Sequence, residues 1–174
     1  PYNLKQFALF GEASYDFTRE LTGTAGLRYY DYKEERTFHS GGLFSNGDNR
    51  FDKTKSDGYS PRVLLAYKMA PGVIWNAQAS KGFRLGGVND PLNIPLCSAQ
   101  DAAIFGGYQR YSDESLWNYE VGLKMQQPGL RFNAALFHTD MKDLQVTLDA
   151  GSCSSRVVFN VPKAHSSGIE LEVA

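Results

Sequence analysis

No stretch of this sequence is apolar for long enough to cross a membrane as a helix, which takes roughly 18 or more consecutive apolar residues. The longest clusters, Val63 to Tyr67 and Val73 to Trp75, are far shorter. A helical membrane protein is thereby excluded, but a barrel is not. A barrel strand crosses in about 9–11 residues, and half of them can be polar because they face the lumen. Cysteine is nearly missing, with Cys97 and Cys153 alone. They form no C-x-x-C pair, and as an isolated pair they permit one disulfide in an oxidising compartment. There is no G-x-S-x-G, H-E-x-x-H or P-loop, so the chain carries no signature of an enzyme and implies no cofactor or metal. His138 and Asp140 stand two residues apart, the spacing of an acid and base on one strand face, but an isolated pair of this kind arises easily by chance. A formal net charge of -1 leaves no basic excess for nucleic acid.

What the sequence has is alternation. Phe7, Leu9, Gly11, Ala13, Tyr15 and Phe17 fall on one face of an extended segment, opposite Gln6, Ala8, Phe10, Glu12, Ser14 and Asp16. After the turn Thr18-Arg19-Glu20, Leu21, Gly23, Ala25, Leu27 and Tyr29 alternate with Thr22, Thr24, Gly26 and Arg28, giving a hairpin. A third strand is expected over Tyr59–Lys68 and a fourth from Val73 to Ser80, joined at Ala70-Pro71-Gly72. A fifth is expected over Trp117–Lys124 and a sixth from Leu130, joined at Gln126–Gly129. The sixth loses its alternation between His138 and Gln145, where a bulge is expected. The seventh is expected from about Gly168.

Between these strands lie long polar stretches, Arg36 to Asp57 and Arg84 to Ser115, and a medium loop over Ala150–Arg156. Short and long connections thus alternate, as in outer-membrane barrels with tight periplasmic turns and long outer loops. The aromatic residues, 10 Tyr, 11 Phe and 2 Trp, suit two girdles: Tyr15, Phe17, Tyr67 and Trp75 near the short turns, Tyr29, Trp117 and Tyr119 near the long loops. The fold class expected is therefore all-β, an antiparallel transmembrane barrel segment of about seven long meander strands. Seven strands do not close a bacterial barrel, so an open curved sheet is expected.

Several motifs, in order, resemble the barrel of TonB-dependent outer-membrane receptors. They are Phe7–Phe17 with Leu21–Tyr29, Ser60-Pro61-Arg62-Val63, Ser80-Lys81-Gly82-Phe83-Arg84-Leu85-Gly86-Gly87, and Glu114–Lys124 with its Asn118-Tyr119-Glu120. Asn133–Phe137 with Asp140–Gln145, then Asn160–Ala164 with Gly168–Glu172, complete the series. The resemblance implies a plugged, roughly 22-stranded barrel in the bacterial outer membrane. On that reading residues 1–174 are a partial barrel domain, with the plug and the remaining strands elsewhere. It further implies import of a scarce large ligand such as a ferric siderophore, haem, cobalamin or oligosaccharide. Energy would be coupled through TonB by way of the plug, and lipid would surround the wall. A passive porin and a soluble β-sandwich carbohydrate-binding module are the alternatives.

In such a barrel the polar positions of the alternation line the lumen: Glu12, Arg28, Arg62, Asn76, Gln78, Asn118, Glu120, Lys124, Arg131, Asn133, Glu170 and Glu172. Some of them would grip the plug or line the ligand route, or all would form a solvated inner wall. Arg84, at the mouth of a long loop, would bind an anionic ligand or hold the loop base. Phe105, Tyr108 and Tyr111 would stack on a ligand or steady that loop. Cys97 and Cys153 lie in loops on the same side and from neighbouring hairpins, so a disulfide between them is expected.

Overall fold

The computed structural model describes residues 2–39, 41 and 49–174. In chain order its elements are β1 (Tyr2–Asp16), β2 (Leu21–His39), β3 (Asn49–Ala70), β4 (Val73–Arg84), β5 (Gly87–Val88), α1 (Ala99–Phe105), β6 (Arg110–Tyr111), β7 (Glu114–Gln127), β8 (Leu130–Asp149) and β9 (Arg156–Val173). Single 3-10 turns occur at Ile94–Leu96 and Gly151–Cys153. The seven long strands form one antiparallel sheet in the order β1-β2-β3-β4-β7-β8-β9, and β5 pairs with β6 as a small ribbon. Each long strand lies beside its nearest long neighbours in sequence, so the sheet is a meander that does not close.

A second sheet packed on the apolar face would make the soluble sandwich, and none is present among the described residues. The surface confirms the missing layer. A compact chain of 19.3 kDa would expose about 8,500 Å², whereas this one exposes 11432 Å². The excess is apolar: Leu9 and Ile169 are 67% and 69% exposed, and Leu27, Val63, Val121, Leu136 and Leu171 are exposed beside them.

Register fixes which side chains share a face, because successive residues of a strand point to opposite sides. The ladder Glu12↔Gly26↔Arg62↔Ser80↔Asn118↔Thr139↔Ser166 runs across all seven strands and carries only polar or small residues. One residue along, Ala13↔Ala25↔Val63↔Ala79↔Tyr119↔His138↔Ser167 begins the other face, and the next such row contains Leu65, Ala77, Val121, Leu136 and Ile169. On the apolar face, Leu21 to Tyr29 is eight residue steps, or about 26 Å of strand. At a barrel strand's tilt of about 40° that length rises about 20 Å, most of an apolar band about 25 Å tall. Tyr15 and Phe17 pack edge-on at its lower rim, 5.2 Å between centroids. At the upper rim Tyr29 meets Tyr59 at 5.2 Å, and Trp117 stacks on Tyr119 at 6.1 Å.

The strands run further than alternation of apolar residues indicates. The stretch from Arg36 to Asp57, expected as loop, is β2 as far as His39 and β3 from Asn49; the rest of it, apart from Gly41, lies outside the described residues. Likewise β9 begins at Arg156 rather than near Gly168. These extensions stand beyond the apolar band, where no lipid meets either face and no apolar contrast between faces is required. The bulge expected in β8 is not an inserted residue. Pairing with β9 is in register on either side of it, Lys142↔Lys163 and Leu144↔Val161, and Asp143 between them takes a left-handed φ of 55°. A register shift does occur at Lys68/Ala70, beside the turn into β4.

Pro71-Gly72 and Pro128-Gly129 close two short turns, with Gly72 at φ 74° and Gly129 at φ 78°. A Cβ on Gly72 would stand 2.2 Å from the carbonyl oxygen of Gln126, whose own N–H donates to the Gly72 carbonyl at 2.7 Å. One on Gly129 would meet nothing within 4 Å. Gly129→Ala should therefore cost about 1 kcal/mol, the left-handed backbone penalty alone. Gly72→Ala should cost more than about 2 kcal/mol, since a backbone clash is added to that penalty. Urea unfolding of the full-length protein in detergent measures both; equal losses would contradict the geometry.

Candidate functional site

Above the apolar band the polar face of β2 carries Tyr30, Tyr32, Glu34 and Arg36. Alternation places all four on the side of Arg28. The Tyr32 hydroxyl donates to Glu34 at 2.5 Å, and Glu34 forms an ion pair with Arg36 Nε at 3.2 Å. The Arg36 guanidinium lies 5.6 Å from the Tyr2 ring, and its Nη1 donates to the Val88 carbonyl at 2.8 Å. Phe83 stacks on Tyr30, 3.7 Å between centroids. Tyr2, Leu4, Tyr32, Glu34, Arg36 and Phe83, with Arg84, Leu85, Gly86 and Tyr111, line a recess of about 680 Å³. Burial holds the Tyr111 hydroxyl above its ordinary pKa, Glu34 adds to this, and Arg36 and Arg84 oppose it. Burial and the Glu34 carboxylate likewise raise Tyr32. Both phenols stay neutral at physiological pH, so the recess offers hydroxyl donors and guanidinium charge beside aromatic faces.

The segment from Leu85 to Asp113 forms the roof of this recess and is pinned from two sides. Toward β2 and β3, Arg36 and Arg50 donate to the carbonyls of Val88 and Asn89, Arg110 pairs with Asp52, and Ser56 donates to Asp113. Toward β8 and β9, the Asn89 side chain acts as a substitute peptide group. Its Nδ2 donates to Val158 O at 2.7 Å and its Oδ1 accepts from Val158 N at 2.8 Å. Asn160 does the same for Ser112, at 2.7 and 3.0 Å. Gln145 donates to the carbonyls of Leu85 and Ser112.

The far end of the segment is a small knot. Ser98 caps α1 by accepting from Asp101 N at 3.1 Å. Asp101 in turn accepts from Ser152 N at 2.9 Å and Ser152 Oγ at 2.5 Å. Cys97 is joined to Cys153 by a disulfide, closing a separation of 56 residues. Around it Leu92, Ala150, Cys153 and Val157 make the buried apolar cluster, with Phe105 packed against them.

Of the four ligand candidates, Arg84 and Tyr111 thus share the recess. Phe105 belongs to the knot, and Tyr108 packs on Phe159 at 5.8 Å. Tyr2, Leu4, Tyr32, Glu34, Arg36 and Phe83 join them in the recess and escaped sequence reasoning. The signal that could have found them is the spacing of Tyr30, Tyr32, Glu34 and Arg36, which continues the period of two without any apolar contrast. On the polar face lower down, Arg62 pairs with Glu12 at 3.4 Å, Gln78 bonds Glu120 at 3.3 Å, and Thr139 donates to Asn118 at 2.8 Å. Asn76, Glu120, Lys124, Asn133, Glu170 and Glu172 line a shallow recess there. Arg28 and Arg131 are exposed.

A family model for the TonB dependent receptor-like β-barrel matches residues 1–174. The chain belongs to this family. These receptors reside in the bacterial outer membrane and transport ligands rather than transform them. The pesticin receptors of Yersinia pestis and Yersinia enterocolitica are 24% identical to this receptor segment over 165 residues, 95% of the chain. The segment spans 23% of their length. Its backbone is similar to the ferric yersiniabactin uptake receptor of Yersinia pestis, with TM-score 0.72 and 21% identity over 99% of this chain and 24% of that one. It is also similar to a copper transporter, with TM-score 0.70 and 20% identity over 98% and 26%. At these identities the structural likeness speaks for the fold alone.

The Ser152 hydroxyl and N–H, the first of them the larger influence, hold the Asp101 carboxyl below its ordinary value of 3.8. A depressed carboxyl contributes stability that is present above the unfolded pKa and is lost as pH falls through the folded one. The knot should therefore hold at pH 5 and loosen below about 3.8. Ser152→Ala should return Asp101 toward the usual carboxylate range and speed amide exchange at Ser98. Hydrogen exchange against pH on the full-length receptor checks this, and unchanged exchange at Ser98 would refute it.

Proposed function

We propose that this receptor segment contributes the outer ligand-binding mouth and lumen wall of a TonB-coupled importer of a ferric chelate. The observation that carries the reading is the recess itself. Arg36 and Arg84 converge with the hydroxyls of Tyr2, Tyr32 and Tyr111 and the ring of Phe83 at the outer end of the wall. Guanidinium groups recognise carboxylate or phenolate oxygens in a planar, charge-assisted manner, and aromatic faces stack on the flat arms of a chelate. A recess of this size takes part of such a ligand, and the remaining contacts come from the rest of the barrel. One structural neighbour supports the ligand class, since its name specifies uptake of ferric yersiniabactin. Haem, cobalamin or an oligosaccharide are the other ligand classes weighed.

On this reading the polar face, from Glu12 and Arg62 to Glu120, Lys124 and Glu170, lines the lumen. The apolar face meets lipid. A plug domain and the remaining strands lie outside these residues, and TonB acts through the plug. The loop segment from Leu85 to Asp113, tied by Cys97–Cys153, acts as a fixed roof over the recess.

Arg84 is exposed and makes no ion pair among the described residues, so its charge is available to a ligand. Arg84→Gln in the full-length receptor should weaken binding of an anionic ferric siderophore about tenfold, the value of one charge-assisted bond. Tyr111→Phe should weaken it severalfold, with the barrel's heat-dependent gel mobility unchanged in both. Equilibrium titration against a panel of ferric siderophores, with growth under iron limitation, reads the effect. Wild-type affinity for every member in both variants would overturn the assignment.

A further inference from the structure

The apolar face carries a second feature that transport does not use. Just above the Trp117–Tyr119 stack, register places Lys81↔Trp117↔Asp140↔His165 in one row of that face, and Lys142↔Lys163 in the next. His138, one row below, donates or accepts with Ser167 Oγ at 2.7 Å and lies 3.2 Å from Asp140. The His138 and His165 rings stand 6.4 Å apart. Three lysines and two histidines therefore surround a single carboxylate, and that carboxylate already has His138 as its partner. None of the three lysines forms an ion pair among the described residues. Lys142 and Lys163 face each other directly across two strands, an arrangement that disfavours the sheet unless an anion lies between them.

Directly beneath this patch the wall is hollowed. Val63, Leu65, Ala77, Ala79, Tyr119, Val121, Leu136 and His138 line a groove of about 530 Å³ on the same face. Small residues on β4 form its floor, and His138 belongs to both groove and patch. The combination is amphiphilic: an apolar channel running down the band, capped by cationic donors at the level where the girdle aromatics meet the headgroups. Four strands spaced about 4.8 Å apart make the patch about 14 Å wide, room for one or two phosphate groups.

We propose that patch and groove together bind one anionic lipid of the outer leaflet. Its phosphate sits among Lys81, Lys142, Lys163 and His165, and an acyl chain lies along Ala77, Ala79, Val121 and Leu136. The other half of the wall supplies a built-in control. There Lys5↔Lys33↔Lys55 also form a row, exposed on this face. That row has Asp31↔Asp57 directly below it and Glu35, paired with Lys53 at 2.8 Å, directly above. Carboxylates flank that row on both sides within the sheet, and the groove of about 720 Å³ beneath it, lined by Leu9, Leu27, Tyr29 and Tyr59, takes in Asp57 where the other takes in His138.

The test uses the full-length receptor in a neutral detergent, loaded from mixed micelles of phosphatidylglycerol or phosphatidylcholine, with retained lipid counted by native mass spectrometry. Phosphatidylglycerol should be retained over phosphatidylcholine. Lys142→Gln with Lys163→Gln should lower that retention about tenfold, from roughly 1 kcal/mol for each lysine near an anionic headgroup. Lys33→Gln with Lys55→Gln should leave it within about twofold, because carboxylates already offset those charges. Millimolar inorganic phosphate should not displace the lipid, since the acyl chain supplies part of the binding. Equal retention of both lipids, an equal loss in the two double variants, or displacement by phosphate alone would each overturn the proposal. Should the Lys142/Lys163 variant fail to fold, Lys81→Gln alone is expected to lower retention severalfold, and wild-type retention there would be equally decisive.

Discussion

A strand that crosses lipid finds no water for its backbone, so every N–H and C=O must be answered by a neighbouring strand. The rest of this receptor wall follows from that requirement. It forces the meander from β1 to β9 to hold one continuous register, apart from the shift at Lys68/Ala70. Register then decides everything about the side chains. A slip of one residue anywhere would turn Leu65 and Val121 inward and Glu120 and Lys124 outward. The two faces are thus consequences of the same ladder. One is a row of carboxylates, amides and guanidinium groups, and the other is an apolar band rimmed by Tyr15, Phe17, Tyr29, Tyr59, Trp117 and Tyr119.

The constraint relaxes once the strands leave the bilayer, and the chemistry of the mouth begins there. β2 and β3 continue as a paired ribbon with no lipid on either side, and Tyr32, Glu34 and Arg36 occupy one face and charged residues the other. A ribbon without a packed core needs other partners. The segment from Leu85 to Asp113 supplies them, and takes its own rigidity from what it touches. Asn89 and Asn160 extend backbone hydrogen bonding through side-chain amides, Gln145 answers two loop carbonyls, and Arg36 and Arg50 grip two more. The disulfide and the Asp101–Ser152 bonds close the far end. The recess exists because this loop is held over the inner face of β2, with Tyr111 and Arg84 brought to Tyr32 and Arg36.

The legible part of the sequence is the part inside the bilayer. Alternation from Phe7 to Phe17, Leu21 to Tyr29, Val63 to Tyr67, Val73 to Ala79 and Trp117 to Leu123 reads correctly because lipid on one side and water on the other impose a contrast. Above the band that contrast vanishes: the strand residues 36–39 and 49–57 carry no apolar period to read, and in 156–167 it is confined to Val157, Phe159 and Val161. The turns were legible for a different reason: Pro71-Gly72 and Pro128-Gly129 state their backbone angles locally. The site was half legible. Arg84 stands beside a Gly-Gly pair at a strand end, a local signal. Phe105 and Tyr108 carried the same kind of signal as Tyr111 yet went to the loop's own core and to Phe159, because which aromatic faces inward depends on how the loop folds back.

The order of strands, the two faces and the girdle aromatics were determined by the sequence alone, since each depends on residues within one strand and its immediate turn. Tertiary structure decided the mouth. It set how far β2 and β3 rise past the membrane, and which loop residues reach Glu34 and Arg36. It also set the alignment of Lys81, Lys142 and Lys163 on one patch of the outer face. The physical reason is the range of the interactions. Alternation and turns act between residues a few positions apart, whereas the recess and the basic patch join residues tens of positions apart through cross-strand register and a pinned loop.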